Sequence, residues 1–312
     1  MYLIRGLHNL TTAHRGYVAS IGNFDGVHMG HQYVLRAMQR TAQQHGLPSL
    51  VITFEPQPLE YFRPQEAPAR LTRLREKLQQ LKKLGIQRVL LLKFGSHLSQ
   101  MSAHNFLHDL LIKQLAIKHL YVGDDFRFGK NRQGNFAMLQ QQGQAHGLEV
   151  ASLPDFEQQG QRVSSTSIRS ALAAGECAQA ARLLGRPFSF CGRVVHGHQR
   201  GRSIGFPTLN IPLHRQHSPL SGVFAVYVEG LSNEPLPGVA NVGNRPTVKG
   251  DDQLLLEVHI FDFDRQVYGE QVSVLFAHHL RDEIKFDSFD ALREQIQQDA
   301  QQARSLLQVD EP

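Results

Sequence analysis

Residues Gly22 to His31 read GNFDGVHMGH and join a short apolar run, Tyr17 to Ile21, to a segment with Val34, Leu35 and Met38 at helical spacing that ends near Gly46. The pattern predicts a strand, a glycine-bracketed turn and a helix. The first turn of a helix leaves unpaired N–H groups and the positive end of its dipole facing outward, which favours a phosphate. His28 and His31 flank that point, so their rings lie on one side of the helix N-terminus. Imidazoles there can donate hydrogen bonds to phosphoryl oxygens as charge builds on them. With 17 histidines in 312 residues, about one such pair arises by chance, and His214 and His217 are a pair of that kind. The glycine-bracketed setting is what separates the first pair from the second.

Working outward, further strand-like runs lie at Ser49 to Phe54, Arg88 to Lys93, His119 to Val122 and Glu149 to Leu153. Between them Leu74, Leu78 and Leu81 make one helical stripe closed by Gly85. Phe106, Leu107, Leu110 and Leu111 make another behind a Ser102 cap. Alternating strands and helices predict an α/β domain with a doubly wound parallel sheet and ligands at the carboxyl ends of its strands. The glycines do not follow GxGxxG, so a dehydrogenase-type dinucleotide site is not expected. Three polar stretches fall at strand ends. TFEPQP, Thr53 to Pro58, is an extended proline turn. VGDDFRFGKNRQG, Val122 to Gly134, mixes carboxylates, aromatics and cations, and its Phe126 and Phe128 also suit a core. VSSTSIR, Val163 to Arg169, opens a helix with hydroxyls that either cap it or, with Arg169, clamp a phosphate. His104 and His108 have the spacing of a zinc helix but no adjoining glutamate, and are given no metal.

After Gly185 the pattern changes, which sets domains at 1–185 and 186–312. Strands follow at Phe190 to Val195, Val223 to Glu229, Gly238 to Val242, Leu254 to Phe263 and Val272 to Phe276, and one helix with Phe289, Leu292, Ile296, Ala303 and Leu307 on its apolar face ends the chain. Closely spaced strands without intervening helices predict an antiparallel barrel or sandwich. GRSIGFPTLN, Gly201 to Asn210, sets Thr208 and Asn210, oxygen donors suited to Mg²⁺, in a glycine-proline turn with a polar tail. In LLLEVHIFDFD, Leu254 to Asp264, alternation puts Leu256, Val258 and Ile260 on one face, with Glu257 and His259 on the other. Glu257 is then either a solvated strand residue or a base held in a site.

GNFDGVHMGHQ resembles the HxGH-type nucleotidyl transferase signature and, at full length, the bacterial bifunctional riboflavin kinase and FAD synthetase family. SSTSIR, GRSIGFPTLNI, GVFAVYV, GVANVGNRPTV, LEVHIFDFD and RDEIKFDSFDAL follow in the family's order. The lysine-rich loop of class I aminoacyl-tRNA synthetases, which share the HxGH idea, is not found. The resemblance implies FMN adenylyl transfer in the first half, with His28 and His31 catalytic. It implies ATP contacts from Gly22, Asn23, Phe24, Asp25, Gly26, Ser164, Ser165, Thr166 and Arg169, and flavin contacts from Asp125, Phe126 and Arg127. For the second half it implies a small β-barrel riboflavin kinase with Glu257 as base, phosphate contacts from Gly201, Gly205, Thr208 and Asn210, and Mg²⁺ on Thr208 and Asn210. It implies ATP as co-substrate, with riboflavin, FMN and FAD as substrates and products. The chain departs from the family pattern at Gln57, usually histidine, and at Leu209 in the usual PTAN, where alternation would turn the leucine away from the metal.

An apolar content of 41% with 20% charged residues suits a soluble globular protein of about two domains. No run approaches the ~20 apolar residues of a membrane span, and the N-terminus MYLIRGLHNL lacks a leader pattern. Cys177 and Cys191 make no disulfide framework, so the expected location is the cytoplasm. The net charge of +5 is spread without a basic run or interleaved aromatics, so small anionic substrates are expected rather than nucleic acid, with no membrane partner and at most a weak homo-oligomer. Two other readings stay open. A nucleotidyl transferase for another acceptor would leave the second half unexplained, and a flavin or nucleic-acid binding protein would not require Glu257, Thr208 and the paired histidines.

Overall fold

A strand covered on both faces has no reason to alternate, and Tyr17 to Ile21 is buried at every position. The computed structural model describes residues 1–197, 206–246 and 252–309. They divide by contact into two units, Met1–Pro68 with Thr72–Val163, and Ala69–Leu71 with Ser164–Pro312. Gly201 and Gly205 lie outside the described residues.

The first unit runs β1 (Tyr2–Arg5), β2 (Tyr17–Ile21), α1 (Met29–Gln44), β3 (Ser49–Glu55), α2 (Pro58–Phe62), α3 (Leu74–Lys83), β4 (Arg88–Lys93) and α4 (Ser96–Gln100). It continues through α5 (Ala103–Asn105), which passes into a π-helix over Phe106–Gln114, then β5 (Ile117–Tyr121), α6 (Phe136–Gln144), β6 (Glu149–Ala151) and the short hairpin β7 (Glu157–Gln158) and β8 (Gln161–Arg162). Six parallel strands pair in the order β1-β4-β3-β2-β5-β6. Tyr17, Ala19, Ile21, Leu50 and Ile52 feed the core on one face, while Val18, Val51 and Val89 meet Leu35, Met38 and Ala42 of α1 on the other. The chain leaves β2 toward β3 on one side and returns to β5 on the other, so the turn after β2 sits at the switch point of a doubly wound sheet. Ser102 caps α5 by accepting from the Asn105 N–H, and Gly85 follows α3 at a φ of 81°, as the pattern predicted. β1 and α6 were not legible: the first is four residues with an exposed Tyr2, and the second carries a weak apolar stripe.

The second unit holds α7 (Ser165–Ala173), α8 (Cys177–Leu184), β9 (Phe188–Arg193), β10 (Leu209–Pro212), β11 (Gly222–Glu229), β12 (Leu236–Pro246), β13 (Asp252–Ile260), β14 (Gln271–Arg281) and α9 (Phe289–Leu307). The strands pair antiparallel in the order β10-β13-β12-β11-β14-β9. A bridge between Val195 and Asn210 nearly closes the ring into a barrel. Inside, the Phe190 and Phe224 rings meet Phe276 edge-on at 5.3 and 5.2 Å. Outside, Ala300, Ala303 and Leu307 of α9 pack on Val223, Ala225 and Val239.

The contact division at Val163 and Ser164 puts α7 and α8 with the barrel. Helix α8 buries Cys177, Ala180, Leu183 and Leu184, and packs on β9 and β14. Each buried leucine is worth about 1.5–3 kcal/mol. A fragment beginning at Ser164 should therefore resist urea by ~3–6 kcal/mol more than one beginning at Arg186, and equal midpoints would show that the two helices add nothing to the barrel.

Candidate functional site

The turn after β2 is wound through positive φ at Phe24 (48°), Gly26 (83°) and Val27 (43°). A β-branched residue there is strained, a state that persists where the surroundings impose it and that gathers at functional sites. The surroundings are visible. The Asp25 carboxylate, buried, accepts from the Thr72 N–H at 2.9 Å and Oγ1 at 3.2 Å, and Gly26 N–H donates to the same Oγ1 at 2.9 Å. Thr53 Oγ1 donates to Asn23 O at 3.3 Å, and Gly22 N–H to Ile52 O at 3.1 Å. Phe24 is buried against α1, while Asn23 is exposed. Asp25 thus shapes the loop from inside.

His28 is the N-cap of α1: its Nδ1 accepts from the His31 N–H at 3.3 Å. An accepting Nδ1 leaves the proton on Nε2, which becomes the donor of the ring. The His28 and His31 rings stack with centroids 3.6 Å apart. Gly30 permits this, since a Cβ there would come within 3.2 Å of the His28 ring and 3.3 Å of Val163 O. His31 is partly exposed, but its Nδ1 is buried without a hydrogen-bond partner among the described residues. Burial, then the neighbouring His28, then Lys77 push its pKa well below the usual histidine range, so the ring is neutral.

The turn after β5, the strand that pairs with β2, carries Asp125 and Arg127 exposed and Phe126 partly buried. Phe126 stacks on the buried Phe128 at 5.7 Å. At the end of β3 the extended turn lasts only through Gln57, because Pro58 opens α2. Gln57 caps that helix with Glu60, which accepts from its N–H at 2.8 Å, and its buried Nε2 has no partner among the described residues. Tyr61 and Phe62, both exposed, meet Phe94 beyond β4 at 5.7 and 5.5 Å. This aromatic edge escaped the sequence reading, although LEYF directly after the proline turn was its signal. In the second unit Ser164 caps α7, accepting from the Ser167 N–H at 3.1 Å while Ser164 N–H donates to Ser167 Oγ at 3.0 Å. Ser165 and Thr166 begin the helix, and Arg169 Nε donates to Ala69 O at 2.6 Å.

On the barrel, Glu257 of β13 stands in register with Asn210 of β10 on one side and Asn241 of β12 on the other. Directly opposed residues share a face, so three polar side chains form a row across three strands. The Oδ1 atoms of Asn210 and Asn241 are both buried without a hydrogen-bond partner among the described residues. Glu257, Thr208 and Asn241 line a cavity of about 500 Å³ that also takes in Glu283, Phe286 and Phe289. Alternation is as expected: Leu256, Val258 and Ile260 are buried, while Glu257 and His259 face the cavity. His259 Nδ1 donates to Pro207 O at 2.9 Å, tying down the residue before Thr208, and burial lowers its pKa. A bidentate Arg281–Asp299 pair joins β14 to α9 behind the cavity, with contacts of 2.7–3.1 Å. The stretch read as a turn with a polar tail is in part strand, since Leu209 to Pro212 form β10. Among the described residues no group of three or more His, Cys, Asp or Glu side chains could hold a metal, His104 and His108 included.

Residues 10–167 match the sequence profile of FAD synthetase, and residues 184–307 that of riboflavin kinase. A bifunctional riboflavin kinase/FMN adenylyltransferase of Escherichia coli strain K12 is 50% identical over 313 residues, covering all of both chains. One from Haemophilus influenzae is 49% identical over 98% of this chain and 99% of its own. A solved structure described as a macrolide-efflux protein from Streptococcus pneumoniae superposes with a TM-score of 0.83 at 33% identity, covering 97% of this chain and 99% of that one. No helix among the described residues is long and apolar enough to cross a membrane.

A histidine whose pKa is depressed by folding contributes stability that is present above its unfolded value, 6.5, and lost as pH falls toward the folded one. Urea midpoints of the chain should therefore drop as pH falls below 6.5, and His31→Gln should flatten that decline. An identical decline in the variant would show that His31 titrates as it does unfolded.

Proposed function

The chain belongs to the family of bifunctional riboflavin kinases/FMN adenylyltransferases and makes FMN and then FAD; we propose that the kinase reaction runs over Glu257 in the 186–312 part and adenylyl transfer at the β2–α1 turn in the 1–185 part. The observation that carries this is that each part builds its own polar site from the motif assigned to it. One is the histidine pair at the N-terminus of α1, the other the row Asn210, Glu257, Asn241 beside Thr208.

In the kinase step the 5′-hydroxyl oxygen of riboflavin attacks the γ-phosphorus of ATP, the bond to ADP breaks, and Glu257 takes the hydroxyl proton. The cavity beside Glu257 is lined by apolar side chains that suit a flavin ring and by polar groups that suit its phosphorylation. The Oδ1 of Asn210, which has no partner among the described residues, makes with Thr208 a hard-oxygen donor set that fits Mg²⁺. When bound, the ion would offset phosphate charge. Gly201 and Gly205 are assigned phosphate contacts by the family motif.

In the second step a phosphate oxygen of FMN attacks the α-phosphorus of another ATP and pyrophosphate leaves. His28, through Nε2, and neutral His31 donate hydrogen bonds where charge builds, and the free N–H groups of α1 add to them. No covalent enzyme intermediate is required. Gly22, Asn23, Phe24, Asp25 and Gly26 shape the turn that receives ATP. Ser164, Ser165, Thr166 and Arg169 are given phosphate contacts on the family motif. Asp125, Phe126 and Arg127 face the flavin, and the exposed rings of Tyr61 and Phe62 offer a second aromatic surface at the same sheet edge. We place the protein in the cytoplasm, at most weakly self-associated, with small anionic substrates as its partners. Its thiols suit a reducing compartment, since burial pushes Cys177 up to about 11.

His28→Ala or His31→Ala should cut FAD formation by roughly 10²–10³, the usual cost of one transition-state donor, with riboflavin phosphorylation intact. Loss of both activities in a folded variant would contradict a separate adenylyl-transfer site. Glu257→Gln should slow phosphorylation by ~10²–10⁴ and leave FAD formation from supplied FMN unchanged. Normal phosphorylation in that variant would return Glu257 to the role of a solvated strand residue.

A further inference from the structure

Helix α3 turns an apolar stripe of Leu74, Leu78 and Leu81 inward, Leu81 buried and the other two partly so, and Lys77 occupies a position on that same stripe, fully buried. A leucine or methionine would pack there without the cost of taking an ammonium out of water. The fold of the helix does not ask for the charge. What lies around it is the turn after β2. Lys77 Nζ donates to Thr53 Oγ1 at 3.5 Å, and the same Thr53 hydroxyl donates to Asn23 O at 3.3 Å. The lysine thus stands behind the GNFDG turn, one hydrogen-bonded residue from its backbone.

We propose that Lys77 is a positioning residue for adenylyl transfer: its buried ammonium braces the turn through Thr53 and places a fixed positive charge beside His31. It does not touch substrate, since no part of it is exposed. It acts through its neighbours. The titratable groups that act on His31 are His28, from the N-cap of its own helix, and Lys77, from α3; Asp25 in the intervening turn is engaged with Thr72. The Lys77 ammonium, and any charge on His28, oppose a proton on His31. A neutral ring stacked on His28 stays in place as a donor, whereas two charged rings at 3.6 Å would repel. The inference rests on placing adenylyl transfer at His28 and His31.

The test compares the full-length parent with Lys77→Met, which keeps the shape and drops the charge, and Lys77→Gln, which keeps a hydrogen-bond donor toward Thr53. Steady-state FAD formation from FMN, riboflavin phosphorylation, melting temperature and the NMR titration of the His31 Cε1–H are read for each. Both variants should lose kcat for FAD formation about tenfold or more with phosphorylation unchanged. In both the His31 titration should move up by about 0.5 unit or more, with the melting transition still cooperative. A folded variant with FAD formation within about twofold of the parent, or one whose rate falls while the His31 titration stays put, would overturn the proposal and make Lys77 a packing residue. If one variant does not fold, the other decides. His28→Ala, run alongside, separates the two readings: normal FAD formation there removes the site itself, whereas a deficit there with a normal Lys77→Met removes only the role of Lys77.

Discussion

The first unit depends on one constraint: β2 is buried on both faces, so the chain must leave it at the carboxyl edge of the sheet and begin α1 in the open. A helix that begins there exposes its first N–H groups and the positive end of its dipole. His28 accepts one of those N–H groups with Nδ1, and in doing so fixes which of its nitrogens carries a proton. The cap that starts the helix thereby also aims a donor. The cost is a turn with Val27 at a φ of 43°, held by Asp25, Thr72 and Thr53 from within.

The second unit solves a different problem with the same economy. A barrel strand has an inner face, filled here by Leu256, Val258 and Ile260, and an outer face that would ordinarily be wet. The outer face of β13 lies in a cavity bounded by the β14–α9 segment and α9 itself, so Glu257 is neither in the core nor in bulk water. Registering it against Asn210 and Asn241 leaves two amide oxygens buried without a hydrogen-bond partner among the described residues. Buried polar atoms without partners are costly.

The parts of the fold that were legible in sequence are those where one physical signal dominates. Continuous apolar runs marked the parallel strands, Ser102 and Gly85 marked helix ends, and alternation along Leu254 to Ile260 sorted Glu257 from its apolar neighbours. β10 was hidden by the Gly and Pro residues before it, and α6 by a weak apolar stripe. The candidate site was legible where its pattern is local, as in GNFDGVHMGH. It was not legible where it depends on tertiary register: Asn241 opposite Glu257, His259 bound to Pro207 O, and Lys77 behind Thr53 are each joined across strands or helices. Ser164 shows the reverse case. The hydroxyl run was read as cap or clamp, and the cap is visible in the bonds of Ser164 with Ser167.

Two sites built from two separate cores should work in separate molecules. A mixture of His28→Ala chains, which on the proposed assignment keep only the kinase site, and Glu257→Gln chains, which on it keep only the adenylyl-transfer site, should convert riboflavin to FAD in the presence of ATP and Mg²⁺. Neither variant alone should do so at a comparable rate. FAD formation by the mixture, after a lag while free FMN accumulates, is the predicted result, and a mixture no more active than its components would contradict the assignment of the two reactions to two independently working sites.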